Sequence, residues 1–172
     1  MLEAALLGRA AIGIDKNPLA VALARAKTRA ASLPDVIARL RELAAEYSYT
    51  SRDLDCDDDI QVIFHGRTLD QLVYLKESLT DEPEDVFIRG VVLGLLHGKH
   101  RRDGGSMYLS IDMPNTFSMS PDYVRKFVKE HGLVKTPFDV FSKSRDRVTE
   151  MLRAGAGAVL SNEPIVFFGD AA

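Results

Sequence analysis

Two kinds of apolar pattern alternate along the chain: short unbroken runs, which suit buried strands, and longer stretches with apolar residues three and four apart, which suit helices against a core. LEAALLG (2–8) consists largely of strong helix formers and predicts a helix that stops at Gly8, where glycine can take a left-handed cap conformation. AAIGI (10–14) is a short apolar run ending at Asp15. It predicts a buried strand, because a parallel strand covered on both faces need not alternate. Asn17-Pro18 then opens a helix that runs through LAVALARAKTRAA to about residue 31, with asparagine as its cap and proline at its first position.

Leu33-Pro34-Asp35 breaks and restarts the chain, and VIARLRELAAEY has helical spacing. Residues 48–59 form a polar, acidic loop. Helices are predicted over 67–79 and 84–98, the second mostly buried because its apolar residues cover more than one face. GKHRRDGGS (98–106) is a basic, glycine-rich loop, and MYLSIDM (107–113) is a short strand or an extended segment. Ser120-Pro121-Asp122 combines a capping hydroxyl, a first-turn proline and a carboxylate that complements the helix dipole, and Gly132 predicts where that helix ends. A last helix over 139–153 leads through AGAGA to EPIVFFGD (163–170), a second buried strand that again ends in an acidic residue.

With 46% hydrophobic residues, 27% charged residues and a mean hydropathy of -0.06, the 172 residues can bury a core, which excludes wholesale disorder and a membrane span. The net charge of -3 is unevenly spread: residues 1–34 carry +3, 35–96 carry -8, 97–153 carry +4 and 154–172 carry -2. The basic stretch suits an anionic partner even though the whole chain is acidic. One cysteine, Cys56, cannot form an internal disulfide, and the start lacks the basic and apolar regions of a signal peptide, so the expected address is cytoplasmic. No metal is expected. Asp55-Cys56-Asp57-Asp58-Asp59 begins like a calcium loop, but Ile60 stands where the glycine is needed and Gly66 where the closing glutamate is needed. His97 and His100 have no second ligand pair for zinc.

The two strand ends are the informative chemistry. In doubly wound α/β folds ligands lie at the carboxyl ends of the strands, and a carboxylate there can bind both hydroxyls of a nucleoside ribose. Asp15 stands in such a place, and Asp170, just beyond the second strand, could accept from an exocyclic amine. Each has a plainer reading as a helix cap or turn former.

LEAALLGRAAIGIDKNPLAVALARAKT is similar to the segment that follows the glycine-rich cofactor loop in S-adenosylmethionine-dependent DNA methyltransferases of the adenine or cytosine amino-methylating type. FHGRTLDQLVYLKESL and GLLHGKHRRDGGSMYLSIDMPNTFSMSPDYVRKFVKEHGL resemble an inserted region in a bacterial branch of these enzymes. The resemblance covers nearly the whole chain. It implies an α/β fold, a partial Rossmann-like methyltransferase sheet with a large, mainly helical insertion. Residues 1–32 and 158–172 would then be the partial cofactor-binding core, and 33–157 the inserted, DNA-contacting region.

On that resemblance Asp15 holds the ribose of S-adenosylmethionine, Asn17 and Pro18 shape the adjoining turn, and Asp170 lies near the adenine. The family transfers a methyl group from the sulfonium to an exocyclic amine of a flipped base. Two of its parts are absent from these residues: the glycine-rich loop and the Pro-Pro catalytic motif, so catalytic residues are not identified. Ser120-Pro121-Asp122-Tyr123 lacks the motif's second proline and reads as a helix cap. The expectation is a central fragment, inactive alone, whose partner is DNA together with a complementary methyltransferase polypeptide or a second copy of itself. A non-catalytic DNA-binding or interaction module is the alternative. Lys99, Arg101, Arg102, Arg125, Lys126 and Lys129 are expected to meet phosphates, and Asn115, Thr116 and Ser118 to reach base edges. Arg39 and Arg41, in the acidic stretch, are expected to be dispensable for DNA.

Overall fold

A computed structural model describes residues 1–29, 31–49, 57–96, 108–113, 119–154 and 162–170. Within them lie eight helices and a two-stranded parallel sheet, so the fold is mixed α/β and mostly helical. A short helix, α1 (Leu2–Leu6), runs into Gly8, whose positive φ of 71° is the left-handed turn expected there. Strand β1 (Ile12–Asp15) follows, and then α2 (Pro18–Thr28), capped by Asn17, whose side chain accepts from the Leu19 amide. Helix α3 (Leu33–Glu46) starts earlier than the break at Leu33-Pro34-Asp35 suggests, because Ser32 caps it and Pro34 fits inside the first turn.

One turn of helix, α4 (Asp58–Gln61), falls inside the acidic stretch and is capped by Asp57. Helices α5 (Gly66–Ser78), α6 (Pro83–Leu96), α7 (Pro121–His131) and α8 (Val140–Ala154) complete the helical body, and strand β2 (Ile165–Phe168) closes the described chain. MYLSIDM forms no strand over its described part. Residues 108–113 are an irregular segment tied down by Leu109 N–H to the Leu95 carbonyl (3.0 Å) and Ile111 N–H to the Ile63 carbonyl (2.8 Å).

The core explains why α6 is apolar nearly all round. Val86, Phe87, Ile88, Val91, Val92 and Leu95 are all buried, because α2 lies on one side of α6 while α3 and α8 lie on others. Helix α3 presents Val36, Leu40 and Leu43 to this core at helical spacing, and α8 presents Val140 and Val148. The start of α8 is fastened to α5 by a reciprocal pair: the Thr68 hydroxyl donates to the Phe138 carbonyl (2.8 Å) and accepts from the Phe138 amide (2.9 Å). Ser144 on α8 is fully buried, and its hydroxyl has no partner among the described residues, a cost that the surrounding packing has to offset.

The sheet departs from expectation in burial. Strands β1 and β2 pair in parallel, Ile12 with Ile165 through Asp15 with Phe168, although residues 16–164 separate them in the chain. Both were expected to be buried, yet Ile12 is 67% exposed, Ile14 48%, Ile165 52% and Phe167 51%. The physical reason is one-sided cover. Helix α2 packs against both strands and shields Val166, while the alternate face, carrying those four side chains, has no helix on it among the described residues.

The outer edges also differ. Ile165 and Gly169 donate to the carbonyls of Ala11, just before β1, and of Asp15, at its end, both at 3.0 Å, so Val166 turns its polar groups away from β1. Its carbonyl is met there by the Arg25 guanidinium, at 3.0 Å from Nη2 and 3.3 Å from Nε. The outer edge of β2 is thus sealed midway, whereas that of β1 is open among the described residues.

Candidate functional site

The site lies where the two strands end side by side. Parallel pairing brings Asp15 opposite Phe168, two residues before Asp170, and the Gly169 amide donates to the Asp15 carbonyl at 3.0 Å. Asp15 and Asp170 are therefore brought together at one end of the sheet, as neighbouring strand termini, despite their distance in sequence. The turn after Asp15 is built locally. Asp15 Oδ1 accepts from the Asn17 amide (2.8 Å), Asn17 Oδ1 accepts from the Leu19 amide (2.9 Å), and Pro18 occupies the first turn of α2, where no N–H is missed. This ladder fixes the carboxylate with one oxygen engaged and the other, Oδ2, without a partner among the described residues. An exposed, preset carboxylate oxygen suits a pair of adjacent hydroxyls.

Lys16 was not foreseen. Its ammonium lies 3.9 Å from Asp170 Oδ2 and so spans the two strand ends, with both side chains largely exposed. Such a pair is worth only a few tenths of a kcal/mol and opens readily. Only the pairing of the strands, which the sequence does not state, brings position 16 next to position 170.

The expected DNA residues divide into two groups. Lys99, Arg101, Arg102, Asn115 and Ser118 lie outside the described residues, as does Thr116. Arg125, Lys126 and Lys129 sit on α7, whose buried side is anchored by Val124 and which is capped by Ser120 Oγ accepting from the Tyr123 amide and by Gly132 at φ 60°. All three point away from the core, but they are not equally available. Arg125 is engaged by Asp59 and lies 3.5 Å from Asp122, and Lys126 lies 3.7 Å from Glu130. The pair with Asp59 favours the charged guanidinium of Arg125 still further. Lys129 has no such partner among the described residues.

A groove of about 720 Å³ opens elsewhere, between α3 and the start of α6, lined by Asp35, Ala38, Arg39, Glu42, Thr80, Glu82, Glu84 and Asp85. Its chemistry is internal. Arg39 Nε reaches Asp85 Oδ1 at 2.8 Å, and Asp85 Oδ2 also accepts from the Thr80 amide and hydroxyl, both at 2.9 Å. Burial alone would raise the Asp85 carboxyl pKa, but the Arg39 guanidinium and the two Thr80 donors outweigh it and hold the group below its ordinary range. Arg39 is therefore a structural cation, whereas Arg41 is exposed on α3. A second, part-buried pair joins the half-buried Tyr47 to the buried Asp70, and burial followed by that hydrogen bond pushes the phenol up.

No family model, curated protein or solved structure matches the chain, and no helix among the described residues is long and apolar enough to cross a membrane.

Proposed function

We propose that the chain is the part of an S-adenosylmethionine-dependent DNA amino-methyltransferase that carries the adenosine side of the cofactor site and an inserted DNA-contacting region. One observation carries the reading: two neighbouring parallel strands each run into an aspartate at the carboxyl end, where nucleotides lie in Rossmann-like sheets. The residues fit the cofactor's adenosine half. Asp15 would accept from the ribose hydroxyls, Asn17 and Pro18 would keep that carboxylate in place, and Asp170 would face the adenine. The methionine half has no cradle here, since the glycine-rich cofactor loop that precedes this segment in the family is not among these residues. When bound, the cofactor supplies a methyl group for an exocyclic amine of adenine or cytosine, in a cytoplasmic enzyme.

The test uses the chain as it stands. Titration with adenosine or S-adenosylhomocysteine, followed by amide NMR, is expected to shift Asn17 and Leu19, and Asp15→Ala to abolish the response. No methyl transfer from labelled cofactor to DNA is expected from this chain alone. Transfer by the chain alone that Asp15→Ala abolishes would show that the catalytic motif lies within it; no amide response near the solubility limit of adenosine would remove the cofactor reading.

A complementary polypeptide or a second copy would join at the outer edge of β1, because Arg25 seals the outer edge of β2. Light scattering at rising concentration is expected to show association, and Ile14→Lys, which puts a charge on the bare face beside that edge, to suppress it. A parent chain that stays monomeric throughout argues against this edge as an interface.

A further inference from the structure

The strand ends carry an aromatic ring as well as carboxylates. Phe168 is the register partner of Asp15, so the two side chains leave the sheet on the same face, from backbones about 4.8 Å apart. That is the face on which α2 packs, but the cover stops short of the strand ends. Val166, two residues earlier on the same side, is buried, whereas Phe168 is 64% exposed. One end of this face therefore presents a bare ring beside a carboxylate whose Oδ1 is already held by the Asn17 amide at 2.8 Å. Asp170 follows two positions after the ring, with the Lys16 ammonium 3.9 Å from its Oδ2.

We propose that Phe168 is the stacking platform for the adenine of a nucleoside whose ribose hydroxyls donate to Asp15. The proposal rests on the cofactor reading above and supplies the apolar contact which that reading left unassigned. What stands beside the ring selects the occupant: a flat apolar face for Phe168 together with a pair of adjacent hydroxyls for Asp15, within one strand spacing of each other, is what a nucleoside offers. An apolar side chain of a protein partner would cover the ring but leave the preset carboxylate desolvated and without donors. The pair between Lys16 and Asp170 is largely exposed and opens at little cost, so it leaves Asp170 able to accept from the base's amine.

The chain contains no tryptophan, so Phe168→Trp provides a single reporter. Adenosine is expected to quench its emission, and ribose alone, which has the hydroxyls without the base, to leave it unchanged. In titrations followed through the Asn17 and Leu19 amides, Phe168→Ala is expected to weaken adenosine binding about fivefold or more, and Phe168→Tyr, but not Phe168→Leu, to keep it near the parent's. Leucine retains apolar bulk without an aromatic face, so it separates stacking from simple cover. The ring is exposed, so folding should survive its replacement, and circular dichroism checks that it does. Adenosine binding by Phe168→Ala equal to the parent's overturns the platform and leaves the cofactor reading standing; no amide response of the parent to adenosine overturns both.

Discussion

Asp85→Asn is expected to destabilise the protein by about 3 kcal/mol, more than any change at the exposed strand ends. The carboxylate is almost completely buried (2% exposed), while Arg39 is 25% exposed. Removing one partner of a buried pair typically costs about 3–5 kcal/mol, and the residual hydration of Arg39 places this case at the lower end. The amide keeps the shape but loses the charge, so Arg39 is left with Glu42 alone and the two Thr80 donors face a weaker acceptor. The pH dependence has a definite sign. Because the folded carboxyl titrates below its ordinary range, its contribution is complete above that range and is lost as the pH falls through the folded value. The gap between parent and variant in urea denaturation should therefore be widest near neutrality and shrink in acid. A gap that stays constant with pH would mean that the ion pair is not its source.

The parts of the fold legible from sequence are those set within a few residues. Asn17-Pro18 and Ser120-Pro121-Asp122 start helices where expected, because a capping oxygen, a fixed φ and the free N–H groups all lie within one turn. Gly8 and Gly132 adopt the left-handed conformation that their positions require. The all-round apolar pattern of α6 correctly implied burial, since no arrangement would leave such a helix in water.

What failed to show in the sequence depends on partners far along the chain. IGID and IVFF have the composition of strands covered on both faces, and nothing local to them says that, among the described residues, α2 covers one face and no helix covers the other. His65 caps α5 by accepting from the Arg67 amide at 3.2 Å, a task usually given to serine, threonine, aspartate or asparagine, and so gave no start signal. Arg25 and Val166 are 141 positions apart and Arg39 and Asp85 are 46 apart, so both links exist only once the helices have packed. At the candidate site Asp15 could be found from its strand and turn, whereas Lys16 acquires its meaning only from the pairing of β1 with β2.

The same packing dependence makes Gly90 a position where the helical body and the site are joined. A Cβ added there would lie 2.3 Å from the Ala26 Cβ, closer than any two carbons can approach without bonding, so α2 and α6 cross at this point because position 90 has no side chain. Gly90→Val is therefore expected to cost about 3 kcal/mol, the upper end for an overfilled contact, since a branched side chain must push α2 outward. The loss should not be uniform. Helix α2 is also what covers the sheet and supplies Arg25 to Val166, so displacing it should release β1 and β2 and with them the setting of Asp15. Hydrogen exchange is expected to show lost protection in α2 and both strands while α3, α5 and α8 keep theirs. Moving the methyl group across the crossing separates packing from helix propensity: Gly90→Ala with Ala26→Gly keeps one alanine and one glycine in the pair, and should recover most of what Gly90→Ala alone loses. If the double variant is no more stable than Gly90→Ala, the close approach at this crossing is not what holds the strands and the helical body together.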